Sequence, residues 1–226
     1  MSTRHASARP QARRTGVHFA AAAAAAVLAL AACSALQPTK TPPPAFYALG
    51  NSMAATSPSP ATNPAGGPTL MVSPPRAAAG FDSQRIIYLR EPHKLEYFAQ
   101  SEWVDPPARM LGPLLVSAIE RSGAFRAVML TPGSASGEMR LDTEVVRLQQ
   151  EFQTQPSRAH FTLRAYVVEE RTRRVLAWRE FDATVNAASE DPYGGVVAAN
   201  QAVQDVLTQL ASFCADAART VTVAPK

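Results

Sequence analysis

The clearest alternation of apolar and polar positions runs over Arg158–Glu169. There Ala159, Phe161, Leu163, Ala165 and Val167 are set against Arg158, His160, Thr162, Arg164 and Tyr166, the two-residue period of a half-buried strand. Met139–Phe152 reads the same way, with Leu141, Thr143 and Val145 opposite Asp142 and Glu144. The charged run Glu170–Arg174 predicts a hairpin turn into a third strand, Val175–Asn186. In that strand Leu176 and Trp178 fall on the face opposite Phe181, Ala183 and Val185, which predicts a bulge or an apolar outer face that docks something. After Asp191-Pro192 the period lengthens. Val196, Val203, Leu207, Leu210, Cys214 and Ala217 mark one stripe of a long amphipathic helix ending near Ala218, with 219–226 as a tail.

Weaker signals fill the region before Met139. Phe46–Leu49, Leu70–Val72 (closed by Pro74-Pro75), Arg85–Leu89 and Phe125–Leu130 predict short strands, and Lys94–Ala99 with Glu102–Val104 predict the arms of a hairpin. Asp105-Pro106-Pro107 announces a helix carrying Leu111, Leu114, Leu115, Ala118 and Ile119, stopped at Ser122-Gly123. Pro113 predicts either a kink in it or a true start near Gly112. Many strands and few helices predict an α+β fold, a largely antiparallel sheet with two helices packed on one face.

The N-terminus has a different grammar. Arg4, Arg9, Arg13 and Arg14 precede an apolar block from Phe19 to Ala32, shorter than the roughly 20 residues a spanning helix needs. Leu30-Ala31-Ala32-Cys33 then has the form of a lipoprotein cleavage site. The expected organisation is a signal peptide over 1–32, a lipidated Cys33 with a Pro-rich tether over 33–45, one domain over 46–218 with a mobile loop at 50–68, and the tail. The extended tether reaches roughly 37 Å. Cleavage alters the charge picture. The whole chain has 22 Lys+Arg against 18 Asp+Glu, but the leader contains four of the arginines and no acid, so the mature chain is neutral. That argues against nucleic acid as a partner, since such binding rests on clustered positive charge.

Candidate chemistry is sparse. His93 follows Pro92 in a turn and His160 lies on a polar strand face, where a solvated side chain is expected. Neither has an acid spaced as a catalytic partner, no His/Cys cluster has metal-ligand spacing, and Gly133-Ser134-Ala135-Ser136-Gly137 is off the register of a nucleophile elbow. With Cys33 committed to lipid, Cys214 in its helical stripe is expected to be buried and inert; an intermolecular disulfide is the alternative. The expectations are no catalysis, no metal, and no cofactor beyond a covalent diacylglycerol and N-acyl chain on Cys33. Tyr97, Phe98 and Trp103, with the turn Asp105-Pro106-Pro107, stand as a candidate partner-binding surface, because aromatic residues commonly anchor interfaces.

Several strings occur in an order that resembles the ABC-type transport auxiliary lipoprotein family. They are Phe46-Tyr47-Ala48-Leu49, Leu70-Met71-Val72 with Pro74-Pro75-Arg76, Arg85–Tyr88, Leu95–Phe98, Trp103–Leu111, Ser189-Glu190-Asp191 with Gly194-Gly195 and Ala198-Ala199-Asn200, and Phe213-Cys214. The resemblance implies a non-enzymatic accessory of an ABC permease and ATPase that work with a periplasm-spanning MCE-domain protein. Its role there would be to support lipid trafficking between the two envelope membranes, and so envelope integrity. It also leaves a homo-oligomer open, since one branch of the family resembles a ring-former. Ser34 after the cysteine, rather than Asp, is the pattern of outer-membrane lipoproteins, which places the domain at that membrane facing the periplasm. The alternative is a stand-alone envelope-assembly lipoprotein acting on a cell-wall or outer-membrane assembly enzyme.

Overall fold

In the computed structural model, residues 43–50, 67–133 and 136–222 are described. The predicted leader, Cys33, most of the tether, residues 51–66 of the loop and the end of the tail lie outside them. The elements are β1 (Ala45–Tyr47), β2 (Thr69–Val72), β3 (Arg76–Ala77), β4 (Arg85–Leu89), β5 (Glu96–Trp103), α1 (Pro107–Glu120), β6 (Ala127–Leu130), β7 (Met139–Glu151), β8 (Arg158–Glu169), β9 (Val175–Asn186) and α2 (Pro192–Thr222).

The long strands form an antiparallel meander, β7–β8–β9, whose alternation sorts the two faces as the sequence predicts. Ala159, Phe161, Leu163, Ala165 and Val167 are at most 1 % exposed and point at the helices. In β7 the buried set moves from Met139, Leu141, Thr143 and Val145 to Leu148 and Gln150, because a bulge between Val145 and Arg147 adds one residue. A second bulge lies in β9, where Val168 faces Val175 but Val167 faces Ala177. Both Leu176 and Ala177 therefore pack against the core, while Trp178 turns outward beside Tyr166.

The other edge of β7 corrects the sequence expectation. Three short strands line it end to end: β2 opposite Met139–Leu141, β3 opposite Glu144–Val145 and β4 opposite Gln150–Glu151, all parallel to it. Pro74 and Pro75 interrupt this ladder because proline has no N–H to give. β6 adds to β2 and β1 to β5, again in parallel. The nine strands among the described residues thus form a mixed sheet, with order β1-β5-β4-β7-β2-β6 and the meander branching from β7. Glu96–Trp103 is one strand pairing with β4, not two hairpin arms.

Both helices share one core with the sheet. Val203, Val206, Leu210 and Cys214 of α2 are fully buried, as are Leu111, Leu115 and Ile119 of α1. Phe213 meets Phe181 of β9 edge to face at 5.6 Å. Burial pushes the Cys214 thiol up to about 12, so it holds its proton and is a poor nucleophile. α2 continues to Thr222, past the end predicted near Ala218.

Candidate docking site

The turn between β5 and α1 borders a groove beside α1. Pro106 caps α1, its carbonyl accepting from the N–H groups of Arg109 (2.9 Å) and Met110 (3.2 Å). Pro107 follows in the first turn, where its missing N–H has no helical partner to lose. Asp105 accepts a hydrogen bond from the Arg109 guanidinium at 3.1 Å, one turn along. The helix therefore starts at Pro107 and runs through Gly112 and Pro113, so a start near Gly112 is ruled out. Pro113 leaves the Arg109 carbonyl without its usual helical donor.

These first turns lie beside the proline break that separates β2 from β3. Between them opens a groove of about 240 Å³, walled by Pro74, Pro75, Pro106, Ala108, Gly112 and Leu130, with Asp82 and Arg109 also on its surface. Gly112 forms part of its wall. A Cβ there would sit 3.5 Å from Leu130 Cδ1 and 3.7 Å from Pro75 Cδ, ordinary contact distances. A glycine inside a helix costs about 1 kcal/mol relative to alanine. Here no clash within the fold demands it, since a methyl group would meet Leu130 and Pro75 at ordinary contact distances.

A different geometry explains the glycines at the start of α2. Asp191 caps this helix, accepting from the Gly194 N–H at 2.7 Å and the Ser189 hydroxyl at 2.9 Å, and these bonds hold its carboxyl below the usual range. A Cβ on Gly194 would collide with the Ser189 backbone, and one on Gly195 with the Gln150 side-chain amide. Gln150 is buried; its Nε2 donates to the Ser157 hydroxyl at 3.0 Å, and its Oε1 has no hydrogen-bond donor among the described residues. A few residues on, Asn200 fastens the first strand to the last helix. Its Oδ1 accepts from the Gly50 N–H (2.7 Å) and its Nδ2 donates to the Ala48 carbonyl (3.2 Å).

The outer face of β7–β8–β9 holds a charge network centred on His160. Its Nδ1 lies 2.9 Å from Glu151 and its Nε2 2.8 Å from Asp182. The expected solvated histidine is instead a clamp across three strands, its side chain 14 % exposed. Burial alone would raise Glu151, but hydrogen bonds from Gln149, His160 and Arg158 outweigh it and hold the carboxyl below its ordinary value. Asp182 is lowered in the same way, with the Thr162 hydroxyl and His160 overcoming its burial. Both ring nitrogens face carboxylates, leaving neither directed at a substrate. His93 sits at positive φ in the β4–β5 turn. Among the described residues, no group of three His, Cys, Asp or Glu is placed to hold a metal ion, and no helix is long and apolar enough to cross a membrane.

The family of the ABC-type transport auxiliary lipoprotein component matches residues 47–211, from the last residue of β1 through most of α2. The chain belongs to that family. Among solved structures, protein XCC0632 from Xanthomonas campestris, of the DUF330 family, is 25 % identical with a TM-score of 0.65, over 80 % of this chain and 97 % of its own. A crystal structure of an uncharacterized protein shares the fold at 10 % identity and a TM-score of 0.59, over 76 % of this chain and 99 % of its own. No curated protein matches.

In this auxiliary lipoprotein the residues singled out from sequence do not form one surface. Trp103 is only 3 % exposed and belongs to the core, and Pro107 is buried. Phe98 is half-buried in a trio with Tyr88 (4.4 Å) and Phe152 (6.3 Å). Tyr97 is exposed on the opposite face, with the Arg85 guanidinium 4.9 Å over its ring. Pro106 alone of the six lines the groove, and Asp105 reaches it through Arg109. Pro74, Pro75, Gly112 and Leu130 were missed. The available signals were a proline pair ending a strand and a Gly-Pro pair inside a helical period, each readable only as a breaker. Cys33 lies outside the described residues.

Proposed function

We propose that this lipoprotein is an accessory subunit that docks the MCE-domain partner of its ABC transport system in the groove beside Pro106 and Gly112. Acyl chains on Cys33 hold it at the outer membrane with the domain facing the periplasm. A tether of roughly 37 Å leaves the partner to supply the rest of the span between membranes. The role is positional and not catalytic: the domain gives a lipid-moving assembly a fixed end at one membrane and so supports envelope integrity. The carrying observation is the open groove, whose wall includes a helix-interior glycine that internal packing does not need. Its volume of about 240 Å³ is below that of a typical small-molecule pocket and suits a few side chains of a protein segment.

The test is co-purification of the MCE-domain protein with Leu130→Asp. Leu130 is 41 % exposed on β6, so the substitution leaves the fold in place. Retention of the partner is expected to fall about tenfold, the effect of losing one apolar anchor of about 1.4 kcal/mol. Full retention by Leu130→Asp would remove the groove as the contact. Absence of the MCE-domain protein from wild-type preparations would remove the partner itself.

A further inference from the structure

We propose that the β1 edge of the domain is a membrane-contact surface, with Phe46, Val104, Tyr193 and Val197 resting in the lipid interface to which the chain is anchored. This inference rests on the lipid-anchor reading above. The four side chains are 57, 49, 63 and 47 % exposed, among the most exposed large apolar residues of the domain. They flank the β1 edge from its two sides: Phe46, opposite Glu102, projects from the face away from the core, and Tyr193 stands beside Tyr47 on the helix face, so the bilayer would be met edge-on. β1 pairs only with β5 among the described residues, and the Val104 N–H donates to the Tyr47 carbonyl at 2.8 Å. The Tyr47 ring lies 6.5 Å from that of Tyr193. Val197 follows Tyr193 by four residues, one turn along the same face of α2.

Their place in the chain names the occupant. β1 is the first element among the described residues and begins twelve positions after Cys33 in the sequence, so the patch follows closely on the expected tether. An anchor this close keeps the patch at millimolar effective concentration beside the bilayer, and a contact too weak for a free domain becomes populated. The composition fits an interface. Phenylalanine and tyrosine present an apolar body, and tyrosine adds a hydroxyl that stays with the headgroups. Charge is balanced nearby: Glu102 pairs with Phe46 on one side and with Arg85 on the other in the strand ladder, and Asp191 is engaged in capping α2. Contact therefore rests on apolar insertion and does not require anionic lipid.

The second apolar patch supplies the control. Trp178 and Val175, 62 and 51 % exposed, lie on β9 at the opposite edge of the sheet, about five strand spacings or roughly 24 Å from β1. An environment-sensitive fluorophore is attached through Val197→Cys or Val175→Cys in the full chain purified from membranes. The chain is then reconstituted in phosphatidylethanolamine vesicles, with and without phosphatidylglycerol, carrying nitroxide-labelled lipid. A blue shift and severalfold stronger quenching at position 197 than at 175, the same in both lipid mixtures, are expected. Phe46→Ser with Tyr193→Ser, both exposed positions, should abolish the difference. Equal, water-like signals at the two positions would overturn the proposal and return the patch to a protein partner. Dependence on phosphatidylglycerol would overturn its apolar basis. Intact mass reads the anchor separately. If Cys33 carries no acyl chains, the anchor reading fails. The contact is then read with the chain from residue 33, Cys33→Ser, held by an N-terminal hexahistidine on nickel-chelating lipid.

Discussion

Two glycine-bearing helix segments with similar local chemistry behave in opposite ways. At the start of α2, Gly194 and Gly195 leave no room: the Ser189 backbone and the Gln150 amide occupy the places their side chains would take. In α1, Gly112 has only ordinary contacts to offer a methyl group, at 3.5 Å or more. The first pair is explained by packing inside the domain. Gly112 is not, and it borders the open groove. A small residue inside a helix thus has one of two physical sources, and the atom nearest its absent Cβ separates them.

The largest effects should fall at the closed junction. Gly194→Ala is expected to cost about 2–3 kcal/mol in urea unfolding, because backbone must move; Gly195→Ala should cost less, near 1–2 kcal/mol, because the Gln150 side chain can rotate. Equal or negligible costs would dissolve the contrast with α1. Next comes the strap that ties β1 to α2. Asn200→Ala removes the hydrogen bonds to Ala48 and Gly50 and should cost about 1–2 kcal/mol, with hydrogen exchange speeding up first in residues 45–50. At the open groove the sign reverses: Gly112→Ala should stabilise the domain by about 0.5–1 kcal/mol while weakening partner retention. A destabilised Gly112→Ala would mean that the groove is internal packing after all. The smallest effect concerns pH. The Glu151 and Asp182 carboxyls are held below their unfolded values, so their stabilisation is complete above the ordinary carboxylate range, starts to fall within it and is lost as pH drops through the lower folded values. Glu151→Gln should therefore be less stable than wild type near neutrality, and the gap should close below about pH 4.

Legibility followed the range of the interactions. β8 and β9 were readable to the residue because a strand with one buried face writes its period into its own sequence. The direction of pairing is not written there. β2, β3 and β4 contact β7 across more than sixty residues, and the same short apolar runs serve a parallel or an antiparallel neighbour. In β5 the register with β4 shifts between Arg85 and Ile87, which broke the alternation and suggested two arms. The site was the least legible part. Trp103 looked like an interface anchor, but a large aromatic buries most area in the core, and that is where it lies. The groove joins two proline breaks whose meeting depends on β6 and α1 packing together. His160 finds its carboxylates on both neighbouring strands, a cross-strand match with no signature along the chain.

The end-to-end lining of β7 by β2, β3 and β4 also bears on the order in which the chain acquires structure. The β7–β8–β9 meander and α2 are neighbours in sequence and need only short loops to close. The parallel strands must close far longer loops to reach β7, and among the described residues β1 reaches the sheet only through β5. Loop closure thus favours assembly from the C-terminal half toward the tether. The part of the chain nearest Cys33, synthesised first, is the part expected to settle last.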